Sequence, residues 1–179
     1  MSVSEILRDR IVADGPIPFE VFMNIALYGE GGFFASGPLR SAATGDFLTS
    51  PEVSPWFGRT IGRILASFVG ADDAIVEVGG GSGSLLNPLL AELPDTVATW
   101  AVEASPMARE RLRDVIPPCR IVSALSDLPY GLSGAIVAIE LIDNLPVALA
   151  ARAGEGWVEH WVAVSADGFA FVDAPARPG

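Results

Sequence analysis

A glycine-rich turn between an apolar segment and a leucine-rich segment constrains the fold of this chain more than any other feature. Residues 74–78 (AIVEV) have the apolar character of a strand buried on both faces, with Glu77 near its carboxyl end. Glycines follow at three alternate positions: Gly79, Gly81 and Gly83. Leucines then recur with a helical period over residues 85–93. Because glycine lacks a side chain, the backbone can adopt positive φ and approach a ligand closely, so this order of elements predicts a nucleotide-binding crevice.

Two classes of cofactor are bound by turns of this kind, and the residues around the glycines distinguish them. The dinucleotide pattern requires a third glycine where this chain has Ser84, so its match is partial. The second pattern is an acid followed by three alternate glycines, and with Glu77 as the acid the match is complete. A carboxylate is unfavourable beside a pyrophosphate but favourable beside an amino group. The turn therefore predicts S-adenosylmethionine as the cofactor, with an NAD-linked oxidoreductase as the less favoured alternative.

Carboxylates also stand at the ends of two later predicted strands. The strand predicted over residues 97–102 ends at Glu103, and the one predicted as buried over residues 134–139 ends at Glu140. A short strand is predicted between them, over residues 120–122. In an open α/β sheet, ligands bind in the crevice beyond the carboxyl ends of the strands. We therefore expect a Rossmann-like α/β fold, with Glu103 accepting the ribose hydroxyls of the cofactor.

The residues before this sheet are predicted to form helices and one long loop. Helical periodicity covers residues 3–13 and 19–27, and Ser54-Pro55 predicts the start of a helix that continues to Gly70. Residues 28–52 are rich in Gly, Ser, Thr and Pro but contain aromatic residues, which favours a folded loop over a site.

Polar residues of this loop are candidates for contact with the cofactor. We expect Asp46, Thr49 and Ser50 to bind it, and Glu52 to help close the pocket. After the sheet, alternating residues on both sides of Asp167-Gly168 predict a C-terminal β-hairpin. The predicted domains are residues 1–70, with the helices and the loop, and residues 71–179, with a partial Rossmann-like core ending in the hairpin.

Composition excludes several other functions. The net charge is −11 and no basic run occurs, which argues against a nucleic-acid substrate. A single cysteine and a single histidine predict no disulfide and no metal site. No run of 18 apolar residues occurs, so no membrane span is expected. The N-terminal residues lack the pattern of a signal peptide or a mitochondrial presequence, so we expect a cytoplasmic protein of bacterial type.

The motifs together resemble the MidA-type S-adenosylmethionine-dependent methyltransferases, which are relatives of a mitochondrial complex I assembly factor that methylates arginine. The resemblance covers nearly the whole chain. Its most specific segment is TSPEVSP (residues 49–55), and it also includes GDF (residues 45–47), EASP (residues 103–106), ELIDNLPV (residues 140–147) and GWVE (residues 156–159).

The resemblance implies a methyl transfer from S-adenosylmethionine to a protein arginine, with a respiratory complex I subunit as the type of substrate. Glu140 and Asp143 are then the candidates for binding the guanidinium, because carboxylates pair well with arginine. Members of the family continue with further strands, whereas about four parallel strands are predicted here. The alternative is a truncated module that binds the cofactor or a partner without turnover. An oligomer or a partner is expected to cover the incomplete sheet.

Overall fold

Residues 1–35, 49–116 and 119–177 are described by the computed structural model of this chain, and they fall into two units. One unit comprises residues 37–141, and the other combines residues 1–36 with residues 142–179. These units differ from the two domains predicted with a division at residue 70. That division followed the order of motifs along the sequence and stays a prediction.

The elements are as follows, in chain order. The α-helices are α1 (Val3–Asp14), α2 (Phe19–Tyr28), α3 (Ser50–Val53), α4 (Pro55–Leu65), α5 (Leu86–Leu90) and α6 (Pro106–Val115). The strands are β1 (Ile17–Pro18), β2 (Ala74–Val78), β3 (Ala98–Val102), β4 (Arg120–Val122), β5 (Gly134–Val137), β6 (Ala150–Ala153), β7 (Gly156–Ser165) and β8 (Gly168–Pro175). Short 3-10 helices span Leu125–Asp127 and Ile142–Asn144.

The unit of residues 37–141 is organised around a parallel sheet with the strand order β4-β3-β2-β5. The chain adds β3 and β4 on one side of β2 and then crosses to place β5 on the other side. This reversal makes β2 the switch point of the sheet, where open α/β folds bind their ligands. The four parallel strands and the Rossmann-like fold predicted from the sequence are therefore confirmed, and the glycine turn follows the central strand of the switch.

Helix starts in this unit follow the sequence signals. Ser54 accepts a hydrogen bond from the Trp56 N–H, and Ser105 accepts one from the Ala108 N–H. Proline follows each serine, where its missing N–H costs nothing. The helices bury an apolar core against the sheet, and Ile75, Leu86, Leu89 and Leu112 are its largest fully buried side chains.

Two glycines of α4 allow this helix to lie against α5. A Cβ on Gly58 would lie 2.7 Å from the carbonyl oxygen of Leu85, and one on Gly62 would overlap the carbonyl oxygen of Leu89. The two helices therefore pack backbone against backbone. The sequence does not predict this contact, because glycine within a helix ordinarily indicates only a lower helix propensity.

The other unit contains an antiparallel sheet, which positions no predicted cofactor residue. Strand β7 pairs with β1, β6 and β8, and helix α1 packs Leu7 and Ile11 against Ile17 and Val162. The predicted hairpin is confirmed as β7 and β8. Strands β1 and β6 are not predicted from the sequence, because β1 has two residues, one of them proline, and β6 (AARA) consists mainly of alanine.

Three segment predictions need correction. The predicted long loop ends in helix α3, which begins where Glu52 Oε2 accepts a hydrogen bond from the Thr49 N–H (3.3 Å). Helix α4 ends at Leu65 instead of Gly70, and Phe68, predicted on its packed face, is 62% exposed. The strand predicted as buried over residues 134–139 ends at Val137, and its Ile136 is 70% exposed.

The leucine-rich helix predicted over residues 84–93 is also shorter than expected. Only Leu86–Leu90 is α-helical, although Leu85 and Leu93 are buried as the helical pattern indicated. Within the described residues, no helix is both long enough and apolar enough to cross a membrane.

Candidate functional site

The glycine turn after β2 has the backbone that its sequence predicts. Gly79, Gly81 and Gly83 have φ angles of 80°, 50° and 81°, in the left-handed region that residues with a Cβ rarely adopt. The Gly79 N–H donates to the carbonyl oxygen of Val102 (2.8 Å), which ties the turn to the end of β3. The alternate glycines therefore form a tight turn between β2 and α5 that is hydrogen-bonded to the end of β3.

Side chains would not fit at this turn without displacing their neighbours. A Cβ on Gly79 would lie 3.1 Å from Leu141 Cδ1, and one on Gly80 would lie 2.9 Å from Leu112 Cδ1. The turn is packed on its inner side by these leucines and keeps a bare backbone. That is the arrangement that a ligand in close contact with the main chain requires.

Glu77 is the most unusual residue of the site. Its side chain is 3% exposed, and in register it lies between Ala101 of β3 and Val137 of β5. Among the described residues, Glu77 Oε2 has no hydrogen-bond partner. Burial, with a smaller effect of the Glu103 charge, raises the pKa of Glu77 to about 8. A buried, unpartnered carboxyl group is costly for folding, so its place beside a ligand turn indicates a binding role.

Glu103 stands at the carboxyl end of β3, as predicted, and its carboxylate is held by the backbone. Oε2 accepts from the Gly81 N–H (2.9 Å) and Oε1 accepts from the Ser105 N–H (2.8 Å). Nη1 of Arg109 donates to the carbonyl oxygens of Glu103 and Ala104, both at 2.7 Å, and so fixes this segment. Because each carboxylate oxygen has two lone pairs, both can still accept a ligand hydroxyl.

Helix α3 is connected to the turn through Glu52. Its Oε1 accepts a hydrogen bond from the Ser82 hydroxyl (3.0 Å), and its Oε2 accepts from the Thr49 N–H (3.3 Å). Glu52, which was predicted to close the pocket, thus links α3 to the residue between Gly81 and Gly83. Thr49 is half-buried at the start of the same helix.

A second connection joins α3 to the chain after β5. The Ser50 N–H and hydroxyl both donate to Glu140 Oε1, at 3.0 and 2.9 Å. Glu140 has a φ of 52°, the one positive value among the described residues other than glycine. Such backbone strain costs about 1–3 kcal/mol and is concentrated at functional sites. The structure therefore brings together Ser50 and Glu140, which were predicted separately as cofactor-binding and catalytic residues.

Two other predicted site residues are not placed with this group. Asp143 is exposed in the 3-10 helix Ile142–Asn144, which belongs to the unit of residues 1–36 and 142–179. Asp46 lies outside the described residues. Their predicted roles stay predictions.

A cleft of about 580 Å³ lies beside the turn. It is lined by Arg59, Asn87 and Arg111 of the helices α4, α5 and α6, and by Ser82 and Gly83 of the turn. Among the described residues, Gly83 is the one predicted cofactor-binding residue that lines it, together with Glu52, which was predicted to close the pocket. We place the candidate site at the strand ends, because Glu77, Glu103 and Glu140 lie there and supply the chemistry that this cleft lacks.

The chemistry of the strand ends fits S-adenosylmethionine. Glu77 Oε2, which has no partner among the described residues, can accept a hydrogen bond from an ammonium group. The Glu103 carboxylate can accept hydrogen bonds from ribose hydroxyls, and the turn without side chains lets a ligand approach the main chain. Within the described part of the chain, no cluster of three or more His, Cys, Asp or Glu side chains could hold a metal ion.

Some of these contacts had no signal in the sequence. The Ser50–Glu140 hydrogen bonds join residues 90 positions apart, and Ser82 is a single serine within the glycines. A capping box pattern, Thr49 followed by Glu52 three residues later, was available and would have predicted the start of α3.

Comparison with known proteins places these features in a family. Residues 60–178 match the family of S-adenosyl-L-methionine-dependent methyltransferases. A crystal structure of a superfamily member from Burkholderia thailandensis, bound to S-adenosyl-homocysteine, is 31% identical with a TM-score of 0.80. The match covers 99% of this chain and 50% of that one.

Curated relatives include two mitochondrial proteins. The protein arginine methyltransferase NDUFAF7 of Danio rerio is 27% identical over 88% of this chain and 46% of its own length. The NDUFAF7 homolog of Caenorhabditis elegans is 25% identical over 93% of this chain and 47% of its own length. The chain therefore spans about half the length of the curated relatives it matches.

Proposed function

Since the chain belongs to the S-adenosyl-L-methionine-dependent methyltransferase family, we propose that it binds S-adenosylmethionine at the glycine turn and methylates a protein arginine. The observation that carries the proposal is the buried Glu77 carboxyl, whose Oε2 has no partner within the described residues, at the entrance to a turn of three positive-φ glycines. An acid in this position suits a ligand with an amino group. It would oppose the pyrophosphate of a dinucleotide.

Each residue of the site has a distinct part in this proposal. When bound, S-adenosylmethionine supplies a methyl group that is already activated by its sulfonium, so the protein mainly positions the reactants and excludes water. Gly79, Gly81 and Gly83 let the main chain approach the amino-acid part, and Glu77 accepts from its ammonium group. Glu103, held by the Gly81 and Ser105 N–H groups, accepts the ribose hydroxyls. Asp46, Thr49 and Ser50 also bind the cofactor, from the segment that precedes the parallel sheet in the chain.

The proposed methyl acceptor is an arginine side chain of a respiratory complex I subunit. The names of the curated relatives support the arginine, because they are protein arginine methyltransferases. Glu140 is strained and fixed by Ser50, so its carboxylate can orient a guanidinium, and Asp143 is proposed as its companion. The cytoplasmic location expected from the sequence stays a prediction.

Calorimetric titration of the purified chain with S-adenosylmethionine and with NAD+ tests this function. We expect saturable binding of the first and none of the second, because the third glycine of the dinucleotide pattern is Ser84. Incubation with methyl-labelled cofactor and complex I subunits should then label arginine. Binding without labelling would favour a module without turnover, and NAD+ binding alone would favour an oxidoreductase.

The same structure supports a protein partner for the parallel sheet. Strand β5 pairs with β2 on one side, and among the described residues no strand pairs with its other side. Ile136 of β5 is 70% exposed, although parallel sheets are ordinarily covered on both faces. The Burkholderia relative has about twice as many residues as it shares with this chain. We propose that a polypeptide equivalent to the rest of that relative covers β5.

Mixing this chain with the remaining half of the Burkholderia relative, made as a separate polypeptide, tests the partner. We expect a one-to-one complex in light scattering and a higher Tm than for either component, since a partner that binds the folded state stabilises it. Ile136→Lys should prevent the complex and change the stability of the chain alone by less than about 0.5 kcal/mol, because the side chain is exposed. Self-association of this chain through β5 would contradict the proposal.

A further inference from the structure

The Glu77 side chain lies in surroundings that favour its neutral form. Its neighbours in register, Ala101 and Val137, are apolar and buried, and its Oε2 has no hydrogen-bond partner among the described residues. A carboxylate without donors in an apolar environment is strongly destabilised relative to the neutral acid. Among the described residues, no group donates a hydrogen bond that would stabilise a negative charge on Oε2.

Of the titratable groups near Glu77, Glu103 acts in the same direction as burial. The charge of this second acid raises the pKa of Glu77 further, and the Glu103 carboxylate accepts hydrogen bonds from the Gly81 and Ser105 N–H groups and none from Glu77 among those described. The Cys119 thiol is the next group, and burial, with a smaller effect of Glu77, raises its pKa to about 12, so it carries no charge at neutral pH. Arg120, which follows Cys119, is exposed. It lowers the pKa of Cys119 by less than burial or Glu77 raises it.

We propose that Glu77 is neutral in the ligand-free protein and releases its proton to solvent when the ammonium group of S-adenosylmethionine binds. This inference rests on the proposed function and deepens it. The O–H bond of the Glu77 carboxyl breaks, the proton leaves to the buffer, and the carboxylate accepts a hydrogen bond from the ligand ammonium. No electron transfer or further reactant is needed. Glu77 thereby makes the site specific for ligands with a positively charged amino-acid part.

The direction of the pH dependence follows from the raised pKa. Below pH 8 the free protein holds the extra proton, and the bound carboxylate beside a cation does not. Protons therefore compete with the binding of S-adenosylmethionine, so the affinity for this ligand rises with pH. Between pH 6 and 7, where the α-amino group of the ligand is also charged, the release of one proton corresponds to an affinity gain approaching tenfold.

Calorimetric titration at pH 6.5 in two buffers of different ionisation enthalpy measures the proton directly. We expect S-adenosylmethionine to release about one proton per site, since a group with a raised pKa near 8 is protonated at this pH. S-adenosylhomocysteine should release the same number, because it retains the ammonium group. 5′-Methylthioadenosine, which lacks the amino-acid part, should bind without release.

Two variants make the result specific to one carboxyl group. Glu77→Gln should bind S-adenosylmethionine more weakly, with no proton release and no pH dependence between pH 6 and 7. Glu92→Gln, which changes a half-buried acid paired with the exposed Arg63, should bind and release protons as the unchanged chain does.

The outcomes separate this inference from the proposed function. Binding of S-adenosylmethionine without proton release would overturn the inference and leave the function intact, as would release that persists in Glu77→Gln. Release with S-adenosylmethionine but not with S-adenosylhomocysteine would overturn the assignment to the ammonium group. No binding of either compound would overturn the proposed function itself.

Discussion

Replacing Gly79 with alanine is expected to weaken the binding of S-adenosylmethionine by about 10- to 100-fold. The new Cβ would lie 3.1 Å from Leu141 Cδ1, so either the leucine or the turn must move. Overpacking of this kind costs about 1–3 kcal/mol, and 1.4 kcal/mol is a tenfold change in affinity. The displacement falls where the main chain is proposed to meet the ligand. Calorimetric titration of the unchanged chain and of Gly79→Ala with S-adenosylmethionine measures the change in affinity.

Gly131→Ala is a matched control for this variant. Gly131 has the same φ of 80° as Gly79, but a Cβ there would meet nothing within 4 Å. Both substitutions therefore impose a similar backbone strain of about 1–2 kcal/mol on the folded chain. We expect both variants to lose Tm through that strain, and Gly79→Ala to lose more because of its contact with Leu141, but a loss of cofactor affinity only for Gly79→Ala. Equal affinities for the two variants would show that the ligand does not use this turn.

Gly62→Ala is expected to destabilise the chain by about 1–3 kcal/mol, although alanine is the better helix former. The Cβ would overlap the carbonyl oxygen of Leu89 and lie 3.0 Å from Glu92 Cβ, so α4 and α5 would have to separate. The loss of packing against the buried Leu89 outweighs the propensity gain of about 1 kcal/mol. For a chain of this size, each kcal/mol lowers Tm by about 2–4 °C, which thermal unfolding resolves.

Thr60→Ala provides the comparison on the exposed face of the same helix. Thr60 is exposed and donates one hydrogen bond to the carbonyl oxygen of Trp56, within the helix. Its removal should change stability by less than about 0.5 kcal/mol. If Gly62→Ala were as stable as Thr60→Ala, the close approach of α4 and α5 would be wrong.

The parts of the structure that were predictable are those with local signals. The parallel strands are predicted by short apolar runs in the sequence. The Ser-Pro pairs predict the starts of α4 and α6, because capping and proline geometry are properties of adjacent residues. The positive φ values of Gly79, Gly81 and Gly83 follow from the same kind of local argument.

The features that were missed depend on distant parts of the chain. Strand β6 forms because β7 offers it a partner, although its alanines have little strand propensity. Ile136 reads as a buried strand residue, yet its exposure depends on which elements cover the sheet. The Ser50–Glu140 contact requires the complete order of strands and could not be derived from either residue alone.

Strand β5 pairs with β2 although β3 and β4 lie between them in the chain, so β2 must wait for this partner during synthesis. Gly134 pairs with Ala74, 134 − 74 = 60 positions earlier, and contacts this distant in sequence form slowly because the intervening chain must close first. During translation at about 5–20 residues per second, β2 and its glycines leave the ribosome several seconds before β5. The nascent chain therefore carries the turn glycines and Glu103 before Glu140 emerges, so the residues proposed to bind the cofactor are synthesised ahead of the residue proposed to bind the methyl acceptor.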